Sequence, residues 1–282
     1  MKRATRISVL THIAAIAVGV GCLAPVLWML SASLSPQSDL VTRPMRWVPS
    51  ELYLDRYAEI LFDSTSSVGA SFRAAFVNSL VVGTATVLVS IVVGILGAYA
   101  FARLTFRFRR TTLMIFLATY MLPQIALLIP LYLILSSLGL LDTQIGLILV
   151  DCSLVIPFTL WILSNYFATI PPELEEAARI DGTTRLGALF RVILPSAKPG
   201  IFAAIMFAFL LAWDEFMYAL IFTSSDAAKT LPVAISEFAG KYTTDFGLVA
   251  AGGLIAALPP VIIAIVFQRH VVSGLGAGAV KS

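Results

Sequence analysis

Apolar residues run along this chain in six long blocks, at 7–34, 75–102, 112–137, 144–168, 200–223 and 247–268, with polar residues gathered between them. At 1.5 Å per residue, each block can cross the roughly 30 Å of hydrocarbon in a bilayer as an α-helix. The pattern therefore predicts an all-α membrane protein of six transmembrane helices. The first block follows the basic start MKRATR and runs into the small residues Ser31, Ala32 and Ser33, which imitates a secretory signal. A signal core holds only about 7–15 apolar residues, whereas Ile7 to Leu30 is longer, so this helix is expected to be retained.

Between the blocks, 35–74 is long, carries Pro36, Pro44 and Pro49, and contains LYLDRYAEILF, where Leu54, Tyr57 and Leu61 recur at helical spacing. A small external cap with a short interfacial helix is expected there. The stretch 223–246 is polar and Ser/Thr-rich, contains Pro232, and reads as a structured external loop. Pro25, Pro123, Pro130, Pro157, Pro259 and Pro260 fall inside the spans, where each lost N–H frees a carbonyl for neighbouring helices to satisfy.

Composition agrees with this pattern: 59% of residues are hydrophobic and 12% charged, far from a soluble domain. Thirteen of the nineteen Lys and Arg residues lie in the N-terminus, 103–111, 169–199 and the C-terminal tail. By the positive-inside rule these segments and both termini are cytoplasmic. The net charge of +3 is thus spread over short loops and offers no basic patch for nucleic acid. Cys22 and Cys152 sit in apolar spans without metal-type spacing, and His12 and His270 stand near membrane ends. No G-x-S-x-G, H-E-x-x-H or G-x-x-x-x-G-K-[ST] pattern occurs, so neither hydrolase chemistry nor a phosphate-binding loop is read on this chain.

One polar island, PPELEEAARIDGTTRLGALFRVILPSAKPG at 171–200, differs from the other loops. The Pro171-Pro172 pair ends one span and suits the start of a helix, whose first turn gains Glu173, Glu175 and Glu176 at the positive end of its dipole. Glu175 is spaced to pair with Arg179, and Gly182 supplies a left-handed stop. Thr183 or Thr184 then caps a second helix with an apolar stripe of Leu186, Leu189, Phe190 and Ile193, which Pro195 is expected to end. Read on periodicity alone, this is a hairpin lying on the cytoplasmic face, either a simple connector or a docking knob with small Ala177 and Ala178 at its surface.

The residue pattern is more specific. Glu176-Ala177-Ala178, three residues, Gly182, nine residues, then Val192-Ile193-Leu194-Pro195 resembles the EAA loop of bacterial ABC importer permeases, departing only at Val192. NSLVVGTATVLVSIVVGILGAYAFAR from Asn78, AWDEFMYALIFTSS from Ala212, KTLPVAISEF from Lys229 and the tail GLGAGAVKS look like the maltose-permease-G-like branch of carbohydrate importers, of which a similar member serves the trehalose importer of mycobacteria. The resemblance implies a type I importer permease in the bacterial cytoplasmic membrane. Glu176, Ala177, Ala178, Asp181, Gly182, Leu194 and Pro195 would then form the coupling element, seated on a cytoplasmic ABC ATPase dimer that carries ATP and Mg. No cofactor is expected on this chain. A second permease and an external solute-binding protein complete the implied assembly, with Lys229, Thr230, Leu231 and Pro232 reaching toward the binding protein.

Ionisable residues inside spans are expensive and invite a functional reading. Trp213, Asp214, Glu215 and Tyr218 bring two carboxylates and two aromatic rings within about one turn, and Asn78, Gln124 and Asn165 add amides; such groups recognise sugars. The plain alternative is that Asp214 and Glu215 serve interhelical hydrogen bonds only. Asp151 reads as a solvated residue near the outer end of its span. A different class of function, an ion-coupled secondary transporter, would use Asp214 or Glu215 as its ion site.

Overall fold

A computed structural model describes residues 2–44, 46–240 and 244–279, with side chains from Thr11 to Gln268 within those ranges. Lys241, residues 280–282 and the side chains of the N-terminal basic cluster, Arg269 and His270 lie outside the described residues. Among the described residues every regular element is helical, apart from one antiparallel bridge between Ala239 and Thr244.

Among the described residues, four helices are long and apolar enough to span a bilayer: α1 (Lys2–Ser33), α4 (Ser67–Arg103), α7 (Gln144–Thr169) and α14 (Phe246–Ala279). Between α1 and α4 come the short α2 (Gln37–Val41) and α3 (Asp55–Leu61). The block expected as a single third span is two helices, α5 (Arg109–Tyr120) and α6 (Gln124–Ser137), meeting at 93°. Pro123 explains the break, since it lacks an N–H and drives the preceding residue out of helical geometry. The fifth block is also divided: the island's helices α8 (Pro172–Ile180), α9 (Arg185–Ala188) and α10 (Leu194–Ser196) lead into α11 (Lys198–Trp213), and α12 (Met217–Phe222) follows after a gap. α13 (Leu231–Glu237) lies in the loop before α14.

The chain forms two compact units, one of Met1–Arg73 with Ala234–Ala257, the other of Ala74–Val233 with Leu258–Ser282. In the first, the cap is tied to the segment that starts α14. Arg56, 3% exposed, donates from Nη1 to the Ser35 carbonyl at 2.6 Å and pairs through Nε with Asp245 at 3.1 Å. Gln37 donates to the Thr244 carbonyl at 2.6 Å. α1 presents Ile13, Ile16, Val18 and Leu23 outward, as a lipid-facing helix does.

The second unit is built on close helix contacts at small residues, the usual means of packing in lipid. Gly94 of α4 leaves room for Thr159 of α7, Gly97 of α4 for Leu160, and Gly200 of α11 for the ring of Tyr166. Ala98, Leu163, Phe167, Leu189, Ile193 and Ala204 form one core at the end carrying the island. Val82, Leu147, Val150, Tyr218 and Phe222 form a second.

Candidate functional site

The island folds as two short helices around Gly182. α8 opens on Pro172 with Glu173 and Glu175 in its first turn and Arg179 in its last, matching the helix dipole at both ends. Gly182 has φ +86°, the left-handed conformation the sequence suggested, and Thr183 donates through N and Oγ1 to the Ala178 carbonyl at 3.1 and 2.6 Å. Thr184 is the cap of the second helix, accepting from the Gly187 N–H at 3.1 Å.

That second helix departs from expectation at Pro195. Instead of ending there, it winds more widely over Leu189–Ile193, continues through α10, and turns only at Ala197, where α11 leaves at 81°. The wider winding relieves the crowding a proline imposes on the preceding turn. The predicted stripe is split: Leu189 and Ile193 are fully buried, but Leu186 and Phe190 are 58% and 59% exposed. With Ile180 at 86%, they give the hairpin an apolar outer surface beside exposed Glu176 and Ala177; Ala178 is half-buried and Asp181 exposed. Leu194 packs on the core and Pro195 is exposed.

Glu175 does not pair with Arg179. Its side chain turns inward, where Tyr99 Oη donates to Oε1 at 2.6 Å and Arg103 Nε stands 3.6 Å from Oε2. Arg103 Nη2 also donates to the Ile170 carbonyl at 2.6 Å. In the sequence Arg103 counted only toward orientation, and the aromatic-to-Arg spacing of Tyr99 and Arg103 on one face of α4 was the available signal.

The residues expected along a pathway separate in the fold. Gln124, Asp214 and Glu215 line a cavity of about 460 Å³ with Phe158, Phe207 and Phe216, at the place where α11 gives way to α12. Glu215 starts α12: its carboxylate accepts the N–H groups of Tyr218 at 2.8 Å and Ala219 at 3.0 Å. Trp213 is buried between Phe209, stacked at 5.3 Å, and Phe76, edge-on at 6.0 Å, while Tyr218 is fully buried. Asp151 is 3% exposed, so the solvated boundary position expected for it is corrected to an interior one.

Asn78 stands apart from that cavity. Its Nδ2 donates to the carbonyls of Asp226 and Lys229 at 2.9 and 3.0 Å, and its Oδ1 accepts from Gln144 Nε2 at 2.7 Å. Ser79 Oγ accepts the Leu231 N–H at 2.7 Å. Asp142 Oδ1 accepts the N–H groups of Ser224 and Ser225 at 3.0 and 3.1 Å. Burial pushes the Asp142 carboxyl up, but its bonds from the Ser225 hydroxyl and these N–H groups outweigh that and hold it below the usual value. These bonds pin the 223–233 segment inward. Thr230 and Leu231 are buried and Lys229 and Pro232 half-buried, while Ser224–Ala227 are exposed. Asp142 and Gln144 were not anticipated; the LDTQIG turn before α7 was their only trace.

The family model of binding-protein-dependent transport system inner membrane components matches residues 65–276. The sulfoquinovosyl glycerol transport system permease protein SmoH of Agrobacterium fabrum is 37% identical over 272 residues, covering 96% of this chain and 93% of its own length. The trehalose transport system permease protein SugB of Mycobacterium tuberculosis is 38% identical over 261 residues, covering 92% of each. A solved bacterial ABC transporter involved in the import of the acidic polysaccharide alginate superposes with a TM-score of 0.77 at 22% identity, over 95% of this chain and 98% of that one, a likeness of fold.

Proposed function

The chain belongs to the binding-protein-dependent transport system inner membrane components, and from that membership we propose that it forms half of the membrane pathway of an ATP-driven sugar importer. Its partners are a second permease, a cytoplasmic ABC ATPase dimer that binds ATP and Mg, and an external solute-binding protein. Both termini lie on the cytoplasmic side, as the distribution of Lys and Arg indicates. The α8 hairpin is the handle the ATPases move, with Glu176, Ala177, Ala178, Asp181 and Gly182 at the seat. The exposed apolar surface of Ile180, Leu186 and Phe190 carries this reading, because such a patch on a polar hairpin marks a surface made to be covered.

The cavity at Gln124, Asp214 and Phe158 is this chain's share of the sugar path; its size falls in the roughly 300–1,000 Å³ range of ligand sites. A di- or oligosaccharide suits the cavity, and trehalose, for which the mycobacterial relative is named, is a disaccharide. The ion-coupled carrier draws no support from the family, and Glu215 is already committed to the start of α12.

Purification of the tagged chain from its native membrane tests the assembly. An ATPase and a second permease should accompany it, and Ile180→Asp should release the ATPase while keeping the other permease. Recovery of the chain alone, from an extract in which other complexes survive, would overturn the proposal.

A further inference from the structure

We propose that Glu175, Tyr99 and Arg103 form a latch through which movement of α8 is carried directly into α4. This rests on the reading of α8 as the ATPase-driven element. α8 follows α7 after two residues and reaches α11 through the second helix of the hairpin, so both of those spans are linked to it along the chain. α4 is not: its chain leaves toward α5 and never enters the island. Side chains must supply that link.

Three polar side chains bridge the gap, and all are sequestered: Tyr99 is 5% exposed, and the side chains of Arg103 and Glu175 are 9% and 12% exposed. Each oxygen of the Glu175 carboxylate faces a different group of α4, the phenol at 2.6 Å and the guanidinium at 3.6 Å. Two separated points on one carboxylate fix the rotation of α8 about its own axis as well as its distance from α4. Arg103 extends the link to the last turn of the approach, through its 2.6 Å bond to the Ile170 carbonyl. A buried ion pair returns little net stability once desolvation is counted, so its better-attested use is to fix a register. Glu176, one residue on and about 100° around the helix, stays exposed for the seat on the ATPase. The adjacent acids therefore divide the work, one facing the motor and one facing the bundle.

The test uses the purified complex with spin labels at two exposed positions of the second unit, Val92→Cys on α4 and Leu133→Cys on α6, after Cys22 and Cys152 are replaced by Ser and Ala. Pulsed EPR reads the inter-label distance with and without ATP and vanadate, and cross-linking from Ala177→Cys reads docking of the ATPase. Glu175→Ala should cut the ATP-dependent population shift by about tenfold, within the range of ordinary coupling energies, while cross-linking persists. Tyr99→Phe should lose part of the shift, and the exchange Glu175→Arg with Arg103→Glu should restore more of it than either single change leaves. A full shift in Glu175→Ala, no shift in the parent chain despite cross-linking, or failure of the exchange to rescue would each overturn the latch. Absence of cross-linking in the parent would instead overturn the coupling reading, and the latch with it.

Discussion

Replacing Gly182 isolates the role of the turn between α8 and the second helix. A Cβ added there would meet nothing within 4 Å, so no steric clash accompanies substitution. What remains is the backbone: at φ +86° an L-residue incurs about 1–2 kcal/mol of strain, with β-branched residues worst and Asn among the best tolerated. A graded series follows: Gly182→Asn near the parent, Gly182→Ala intermediate, Gly182→Val most impaired. If the turn must hold this geometry for α8 to seat and move, the upper end of that strain corresponds to about a 30-fold fall in the ratio of competent to incompetent hairpin. The assay is ATP consumed per sugar imported in proteoliposomes, normalised to the amount of complex. Equal coupling in the Asn and Val variants would refute the reasoning, because the two differ widely in their strain at this φ.

Two other perturbations address packing and the outer loop. Gly200→Ala places a methyl against the Tyr166 ring, 2.6 Å from Cδ2, and should lower stability by about 1–3 kcal/mol; a detergent melting curve unchanged from the parent would contradict the close approach of α7 and α11. Asp142 titrates below its ordinary value in the folded chain, so its anchoring of Ser224 and Ser225 is full above the unfolded value of about 3.9 and is lost as pH falls through the lowered folded value. Hydrogen exchange at those two amides, corrected for intrinsic rates, should show weaker protection at pH 3 than at pH 6, and Asp142→Asn should remove the difference. Equal protection at both pH values in the parent would exclude this anchor.

The legible parts of the fold were those fixed by local periodicity and turn chemistry. The apolar blocks gave α1, α4, α7 and α14, and the Pro-Pro, Gly and Thr signals gave α8, the Gly182 turn and the Thr184 cap. Periodicity does not record where a span breaks, because the residues on both sides of Pro123 and of Glu215 are equally apolar. Glu215 does line the cavity, but only the fold reveals that the Tyr218 and Ala219 N–H groups of α12 also engage its carboxylate. Likewise Glu175 has a plausible partner four residues away, and its choice of Tyr99 and Arg103 depends on α4 arriving from 76 positions earlier in the chain.

The inward Glu175 and outward Glu176 also constrain how this segment tolerates changes in length. A helix is a phase device: one inserted residue between Pro172 and Glu175 advances all that follows by about 100°. Glu175 would swing out of the bundle and the alanines would turn away from the surface, although every residue of the motif would still be present. Two compensating insertions would not help, since about 200° puts the faces nearly opposite, and only a gain of three or four residues brings them back near phase. The distance from Pro172 to Gly182 is therefore subject to a counting rule.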